Sequence, residues 1–278
     1  MQIKEALFKG KSILKNSDTD TASLDASLIM SHVTGFSKAG LIIHDEDELS
    51  SELQGSFFSL IDKRSKGYPV AYILGYKDFW SLRLKVNEHT LIPRSDTETL
   101  VEAALSLNVK GDVLDLGTGS GAIILALKKE LRDSINAYAC DISEDTLNVA
   151  EINAKENDLE VKFFISDWFN DVPEKKYALI VSNPPYIEED DEHLGRSSLP
   201  YEPSRALASG PDGLNDIKTI AYKARFYLAF GAYLIVEHGY NQGAAVQKIF
   251  SDLGYEDVQT LKDLEGRDRI TMGAFFGK

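Results

Sequence analysis

Val113-Leu114-Asp115-Leu116-Gly117-Thr118-Gly119-Ser120-Gly121-Ala122 constrains the fold of this chain more tightly than any other stretch. An apolar run of strand length enters a turn with glycine at 117, 119 and 121, and Ile123-Ile124-Leu125-Ala126-Leu127-Lys128-Lys129 then opens a helix. Glycine at those positions lets the backbone turn tightly and approach a ligand without interference from Cβ. Ile135-Asn136-Ala137-Tyr138-Ala139-Cys140-Asp141 reads as the next strand and ends on a carboxylate. From about residue 97 the spacing predicts a helix, a strand at 112–116, a helix at 121–132, a strand at 135–140 and a helix at 143–155. Strands at 161–165 and 177–182 follow, then a helix at 214–229, a strand at 231–237, a helix at 241–253 and strands near 255–261 and 268–276. Strands alternating with helices imply a parallel sheet covered on both faces. The last two strands are joined by Glu265-Gly266-Arg267-Asp268, too short for a crossover, so that pair is antiparallel.

Ligands in such sheets bind beyond the carboxyl ends of the strands. Gly117 to Gly121, Asp141, Asp167-Trp168 and Asn183 all follow strand ends and are expected to converge on one crevice. The glycine turn also fits the G-x-G-x-x-A pattern of dinucleotide sites. Asp115, two residues before the first glycine, favours S-adenosylmethionine instead: a carboxylate suits a ligand carrying an ammonium and a sulfonium and repels a pyrophosphate. Asp141 is placed to accept from ribose hydroxyls.

Asn183-Pro184-Pro185-Tyr186 follows the apolar run 177–182. Both prolines lack an N–H and fix φ, so the chain leaves the sheet stiffly. The Asn183 amide oxygen and the Pro184 carbonyl then point the same way, with the Tyr186 ring as an apolar wall. Two such acceptors match the two N–H donors of an amide or an exocyclic amine. The plain alternative is an Asn-Pro turn after a strand.

Before residue 70 the pattern changes. Ile3, Ala6, Leu7, Ile13 and Leu14 form a helical stripe, and Leu24, Leu28, Ile29 and Met30 a second. Asp47-Glu48-Leu49 reads as the start of a third helix, with Leu49, Leu53, Phe57, Leu60 and Ile61 on one face. Gly67-Tyr68-Pro69 ends it. Phe79, Leu82, Leu84 and Val86 alternate in a polar background as two short strands. The expected organisation is a helical bundle at 1–70, a β-hairpin bridge at 71–92 and an α/β domain at 93–278.

A net charge of −14, from 44 acids against 30 bases, lacks the basic footprint of a nucleic-acid binder and suits a basic protein partner. No apolar run reaches the roughly 18–20 residues of a membrane span, and the first residues lack the pattern of a signal peptide, so the cytoplasm is the expected compartment. The single cysteine, Cys140, and five scattered histidines lead us to expect no metal site.

Taken together these motifs resemble the release-factor glutamine N5-methyltransferases of the HemK type, over nearly the whole chain. Gly67 to Gly75, Phe79-Trp80 and Leu91 to Glu98 are similar to the stretches that lead into that family's catalytic domain, with Ser95 where proline is usual. Asp115, Gly117 to Gly121 and Asp141 resemble its cofactor motif, Ser166-Asp167-Trp168 its adenine-side motif and Asn183 to Tyr186 its acceptor motif. Tyr201-Glu202-Pro203, Ala206-Leu207, Gly213 and Arg267-Asp268-Arg269 are similar to its later landmarks.

The resemblance implies a small N-terminal helical bundle followed by a Rossmann-like, seven-stranded methyltransferase domain with one antiparallel strand. It implies S-adenosylmethionine as cofactor, S-adenosylhomocysteine as product, and class I peptide chain release factors as protein substrate. The methyl acceptor is the glutamine side-chain nitrogen of their Gly-Gly-Gln motif, and the enzyme is expected to be a monomer. Asn183, Pro184 and Tyr186 are the expected catalytic residues, with Pro185 beside them on the substrate. Asp115, Gly117, Thr118, Gly119, Ser120, Gly121, Asp141, Asp167, Trp168, Asn183 and Arg94 are expected on the cofactor, Arg94 pairing with the methionine carboxylate or else with Glu98. Two other acceptors stay open at this point: a ribosomal-protein glutamine and, through the same clamp, adenine N6 in DNA.

Overall fold

A computed structural model describes residues 1–17, 19–195 and 198–277. The chain divides into two compact units, one of Met1–Tyr76 with Glu192–Tyr201, the other of Lys77–Asp191 with Glu202–Lys278.

The first unit is helical: α1 (Ile3–Lys15), α2 (Ala22–Thr34), α3 (Lys38–Ile43), α4 (Ser51–Ser65) and α5 (Val70–Leu74). Ile3, Ala6 and Leu14 of α1, Ala22, Ala26, Ile29 and Met30 of α2, and Phe57 and Ile61 of α4 share one core. Two expectations need correction. Leu24 is half exposed, and Asp25 beside it is buried, held by the Arg64 guanidinium at 2.7 Å and the Thr21 hydroxyl at 3.0 Å. A hydrophobic stripe does not foresee a buried charge, because the partner that makes burial tolerable stands 39 residues away. The third helix also starts later, at Ser51, where the Ser50 hydroxyl accepts from the Leu53 amide. Leu49 lies outside it, its amide bonded to the Met1 carbonyl. Tyr201, distant in sequence, returns to this unit: its hydroxyl donates to the Lys66 carbonyl and its ring meets Tyr68 edge-on.

The second unit begins at Lys77, within a hairpin of β1 (Tyr76–Phe79) and β2 (Leu82–Lys85), whose Phe79, Leu82 and Leu84 join the core of this unit. Then follow α6 (Glu98–Ser106), β3 (Gly111–Leu116), α7 (Ala122–Leu131), β4 (Ile135–Asp141), α8 (Glu144–Glu156), β5 (Val161–Ile165) and β6 (Tyr177–Ser182). The chain closes with α9 (Asn215–Ala224), β7 (Leu228–Glu237), α10 (Gly243–Asp252), β8 (Glu256–Lys262) and β9 (Asp268–Phe275). The sheet has seven strands in the order β5-β4-β3-β6-β7-β9-β8. Its first five strands are parallel and β9 runs against both neighbours.

Side chains alternate between the two faces with the strand period of two. Val113 of β3 and Leu179 and Val181 of β6 face a core shared with α6 and α7, while Leu114, Leu116 and Ile180 face a core shared with α9 and α10. Helix α9 ends at Ala224, five residues before the expected boundary, because Leu228 is already paired with Tyr177 in the sheet. No helix among the described residues is long and apolar enough to cross a membrane.

Candidate active site

The order of strands locates the site. From β3 the chain adds β4 and β5 on one side, then returns to add β6 on the other, so the connections diverge between β3 and β6. A crevice opens at such a switch point beyond the carboxyl ends. Leu116 and Ser182 are register partners there, and the Ser182 hydroxyl donates to the Leu116 carbonyl at 2.8 Å. Gly117 and Asn183, the next residues, therefore leave the sheet side by side. A cavity of about 710 Å³ lies above them.

Backbone groups build one half of this cavity. The Thr118 amide bonds back to the Cys140 carbonyl, closing the loop onto β4. The Asp141 carboxylate accepts from the Gly119 amide at 3.1 Å and the Ser143 amide at 3.1 Å. Burial pushes the Asp141 carboxyl above its usual range, and these amides, with the Arg205 charge, pull it back. Gly117 is glycine for a visible reason: φ is +67°, and a Cβ there would sit 3.2 Å from the Trp168 ring. Trp168 has a φ of 50°, rare for a bulky residue, and its indole N–H donates to Asp216 at 3.0 Å. Trp168, Asp167 and Asp216 all line the cavity.

Side chains from distant elements build the other half. The Asn183 amide N–H donates to the Thr97 hydroxyl at 3.2 Å. The Tyr186 hydroxyl donates to Glu237 at 3.1 Å. Glu237, at the end of β7, is buried, and burial raises its carboxyl to about 7 against the Thr97 hydroxyl, Arg269 and Tyr186, which lower it. Burial also raises the Tyr186 phenol, so it stays a hydroxyl. The Gln242 side-chain amide donates to the Tyr186 carbonyl at 2.9 Å, and a Cβ on Gly213 would come within 2.2 Å of that oxygen. Only glycine at 213 lets the backbone after Asn183 sit where it does.

The cavity carries Glu88, Asp141, Asp145, Asp167 and Asp216 against Arg94 and Arg205. That excess of acid fits S-adenosylmethionine, whose sulfonium and ammonium outweigh its one carboxylate, and it disfavours a dinucleotide pyrophosphate.

Comparison with known proteins agrees. Residues 5–75 match the model of the PrmC N-terminal domain and residues 95–198 that of the methyltransferase small domain. The release factor glutamine methyltransferase of Vibrio cholerae is 42% identical over 98% of this chain and 96% of its own. That of Haemophilus influenzae is 38% identical over 98% of this chain and 99% of its own. The chain belongs to the release factor glutamine methyltransferases. In fold it is similar to a methyltransferase from Pyrococcus furiosus, with a TM-score of 0.52 at 20% identity, over 72% of this chain and 91% of that one.

In this release factor glutamine methyltransferase the expected residues fall in two groups. Gly117, Thr118, Gly119, Ser120, Asp141, Asp167, Trp168, Asn183, Pro185 and Arg94 line the cavity. Gly121, Pro184 and Tyr186 are not among its lining residues; Gly121 is at the start of α7 and Tyr186 is packed on the core. Asp115 is a correction to the reading that turned its carboxylate to the ligand. It is fully buried behind the loop, where it accepts from the Thr118 hydroxyl at 2.7 Å, and desolvation raises its carboxyl to about 7. Strand alternation explains this: a side chain at 115 points with Val113 into the core under α7.

Arg94 reaches neither a free position nor Glu98. Its guanidinium pairs at 2.5 Å with Glu202, which also accepts from the Ile92 amide, while Glu98 accepts from the Trp80 amide. Glu202, Thr97, Glu237 and Asn153 were not singled out for these contacts. Asn153 is buried and ties β2 to the glycine loop, its amide donating to the Lys85 and Ser120 carbonyls. Glu237 did carry a readable signal, since like Asp141 it is a carboxylate ending an apolar strand.

Proposed function

We propose that this enzyme transfers the methyl group of S-adenosylmethionine to the side-chain amide nitrogen of the glutamine in the Gly-Gly-Gln motif of class I peptide chain release factors. The observation that carries this reading is the pairing of Leu116 with Ser182, which sets the glycine loop and Asn183 side by side at one cavity. S-adenosylmethionine supplies an electrophilic methyl on a sulfonium.

The amide nitrogen is a poor nucleophile, because its lone pair is delocalised into the carbonyl. Asn183 Oδ1 and the Pro184 carbonyl accept its two hydrogens, which favours the geometry that restores the lone pair and aligns it with the methyl. Orientation of this kind is worth up to roughly 7–11 kcal/mol in favourable systems, and the acceptors also meet positive charge growing on nitrogen. With S-adenosylmethionine bound, the nitrogen–carbon bond would form as the carbon–sulfur bond breaks, leaving S-adenosylhomocysteine, and the extra proton on the methylated nitrogen would pass to solvent water. Asp141 holds the ribose hydroxyls, Asp167 and Trp168 the adenine side, and Tyr186 stiffens the acceptor segment.

Residues 1–70 are read as the domain that holds the release factor. Few atoms of a glutamine enter the site, and so few cannot select one protein. The acidic chain suits a basic partner and not nucleic acid, and we read the enzyme as a cytoplasmic monomer. The test is parallel incubation with radiolabelled S-adenosylmethionine and release factor, ribosomal proteins or DNA. Label is expected on release factor and lost when its Gly-Gly-Gln glutamine is replaced by glutamate. Label on ribosomal protein or DNA alone overturns the assignment.

A further inference from the structure

One wall of the cofactor half is a side chain and not backbone. The Trp168 carbonyl is fixed, accepting from the Ser166 hydroxyl at 2.8 Å, and the φ of 50° sets where the ring leaves the chain. The side-chain torsions remain free to turn, and fixing them costs rotamer entropy. The ring nevertheless lies against the glycine loop, where a Cβ on Gly117 would come within 3.2 Å of it.

One hydrogen bond sets those torsions. The indole N–H, which can only donate, goes to Asp216 Oδ1 at 3.0 Å across 48 residues. Asp216 Oδ2 accepts from the Ser209 hydroxyl at 2.6 Å, and the Ser209 oxygen accepts from the Asp216 amide at 2.9 Å, so these two residues bind each other twice. Ser209 is a firm anchor. It is buried, its amide donates to the Ile187 carbonyl at 3.0 Å, and the Ile187 amide donates to the Leu207 carbonyl at 2.9 Å. Asp216 therefore lines the cavity with both carboxylate oxygens already engaged.

We propose that Asp216, clamped by Ser209, is the positioning residue that holds the Trp168 indole in the cavity as a preformed wall for the adenine of S-adenosylmethionine. A wall set before the ligand arrives spares binding the cost of ordering that side chain. Asp216 serves here as an oriented acceptor, a task separate from its share in the acidity of the cavity. The inference rests on the reading of Trp168 as the adenine-side wall.

The test measures S-adenosylmethionine affinity by calorimetry in the full chain for Asp216→Ala, Asp216→Asn, Ser209→Ala, Trp168→Phe and the Asp216→Ala/Trp168→Phe pair. Asp216→Ala and Trp168→Phe are each expected to weaken binding roughly 10-fold, the lower end for losing a hydrogen bond to a charged group, with Ser209→Ala between them and wild type. On release factor at saturating cofactor, kcat should stay within about threefold, as for a contact that serves binding alone. Asp216→Asn keeps an oxygen for the indole and an N–H for the Ser209 oxygen, so its affinity should stay within about threefold of wild type. The pair should bind no more weakly than the weaker single variant, because both break one link. Trp80→Phe leaves Trp168 as the only tryptophan; in that background Asp216→Ala should shift the emission to the red and Asp216→Asn should not.

Unchanged affinity in Asp216→Ala overturns the proposal. So do equal losses in Asp216→Asn and Asp216→Ala, which make charge the cause, and losses that multiply in the pair, which place Asp216 directly on the ligand. Should Asp216→Ala fail to fold, undiminished affinity in Trp168→Phe overturns it instead. A wild-type enzyme that binds no S-adenosylmethionine would sink the functional reading. A Trp80→Phe protein that binds it without any change in Trp168 emission sinks only the adenine wall and its clamp.

Discussion

The two halves of the crevice are built by different means. On the glycine-loop side the decisive contacts include backbone amides and carbonyls joining adjacent strands, such as the Thr118 amide to the Cys140 carbonyl across 22 residues. On the Asn183 side they are side chains meeting across 86 residues, Asn183 to Thr97, and 51 residues, Tyr186 to Glu237. Backbone geometry follows from the turn and the sheet alone, so it holds a ligand whatever surrounds it. A side-chain relay depends on several elements arriving together, and it aims single atoms. The first means suits binding and the second suits aligning a reaction.

Asn183→Ala strikes the second half and should give the largest effect. Transfer is expected to fall by roughly 10²–10³, as when a preorganised polar contact to a reacting centre is lost, with cofactor affinity within a few-fold. Normal turnover would remove the distinction between the halves. Asp141→Ala is the converse. Cofactor binding should weaken by about 1.5–3 kcal/mol, the scale of a charge-assisted hydrogen bond, and kcat at saturating cofactor should change far less. Unchanged calorimetric affinity takes Asp141 out of the site.

The smallest effect sharpens the status of Asp115. Its folded carboxyl sits at about 7 against an ordinary 3.8. The folded state therefore holds a proton that the unfolded state has released, and wild-type stability is lost as pH rises from about 4 to about 7. Asp115→Asn has no such proton. Its stability relative to wild type should grow across that window and level off above it. Parallel urea titrations from pH 4 to 9 measure the gap, and a constant gap would mean that Asp115 is ionised in the fold throughout.

How legible each half was in the sequence follows from the same contrast. The glycines, Asp141 and Asn183 sit at strand ends, and their spacing alone brings them to one edge of a parallel sheet. Asp115 misled because a carboxylate near a glycine turn looks like a ligand contact until strand alternation points it inward. Arg94 lines the cavity as expected, but the Glu98 partner offered for it is replaced by Glu202, 108 residues away. In the helical unit Leu24 fitted a stripe, yet the buried face of α2 includes Asp25, whose partner Arg64 belongs to another helix.

Periodicity and turn chemistry by themselves determined a helical segment, a parallel sheet, an antiparallel closing pair, a glycine loop and a stiff acceptor turn. These are local properties, set by which φ values and which faces each residue accepts. Only the tertiary structure decided that β9 inserts between β7 and β8, that Glu202 captures Arg94 and that Glu237 receives the Tyr186 hydroxyl. Those outcomes depend on which elements become neighbours, and a buried charge or a hydrogen-bond relay exists only once its distant partner has arrived.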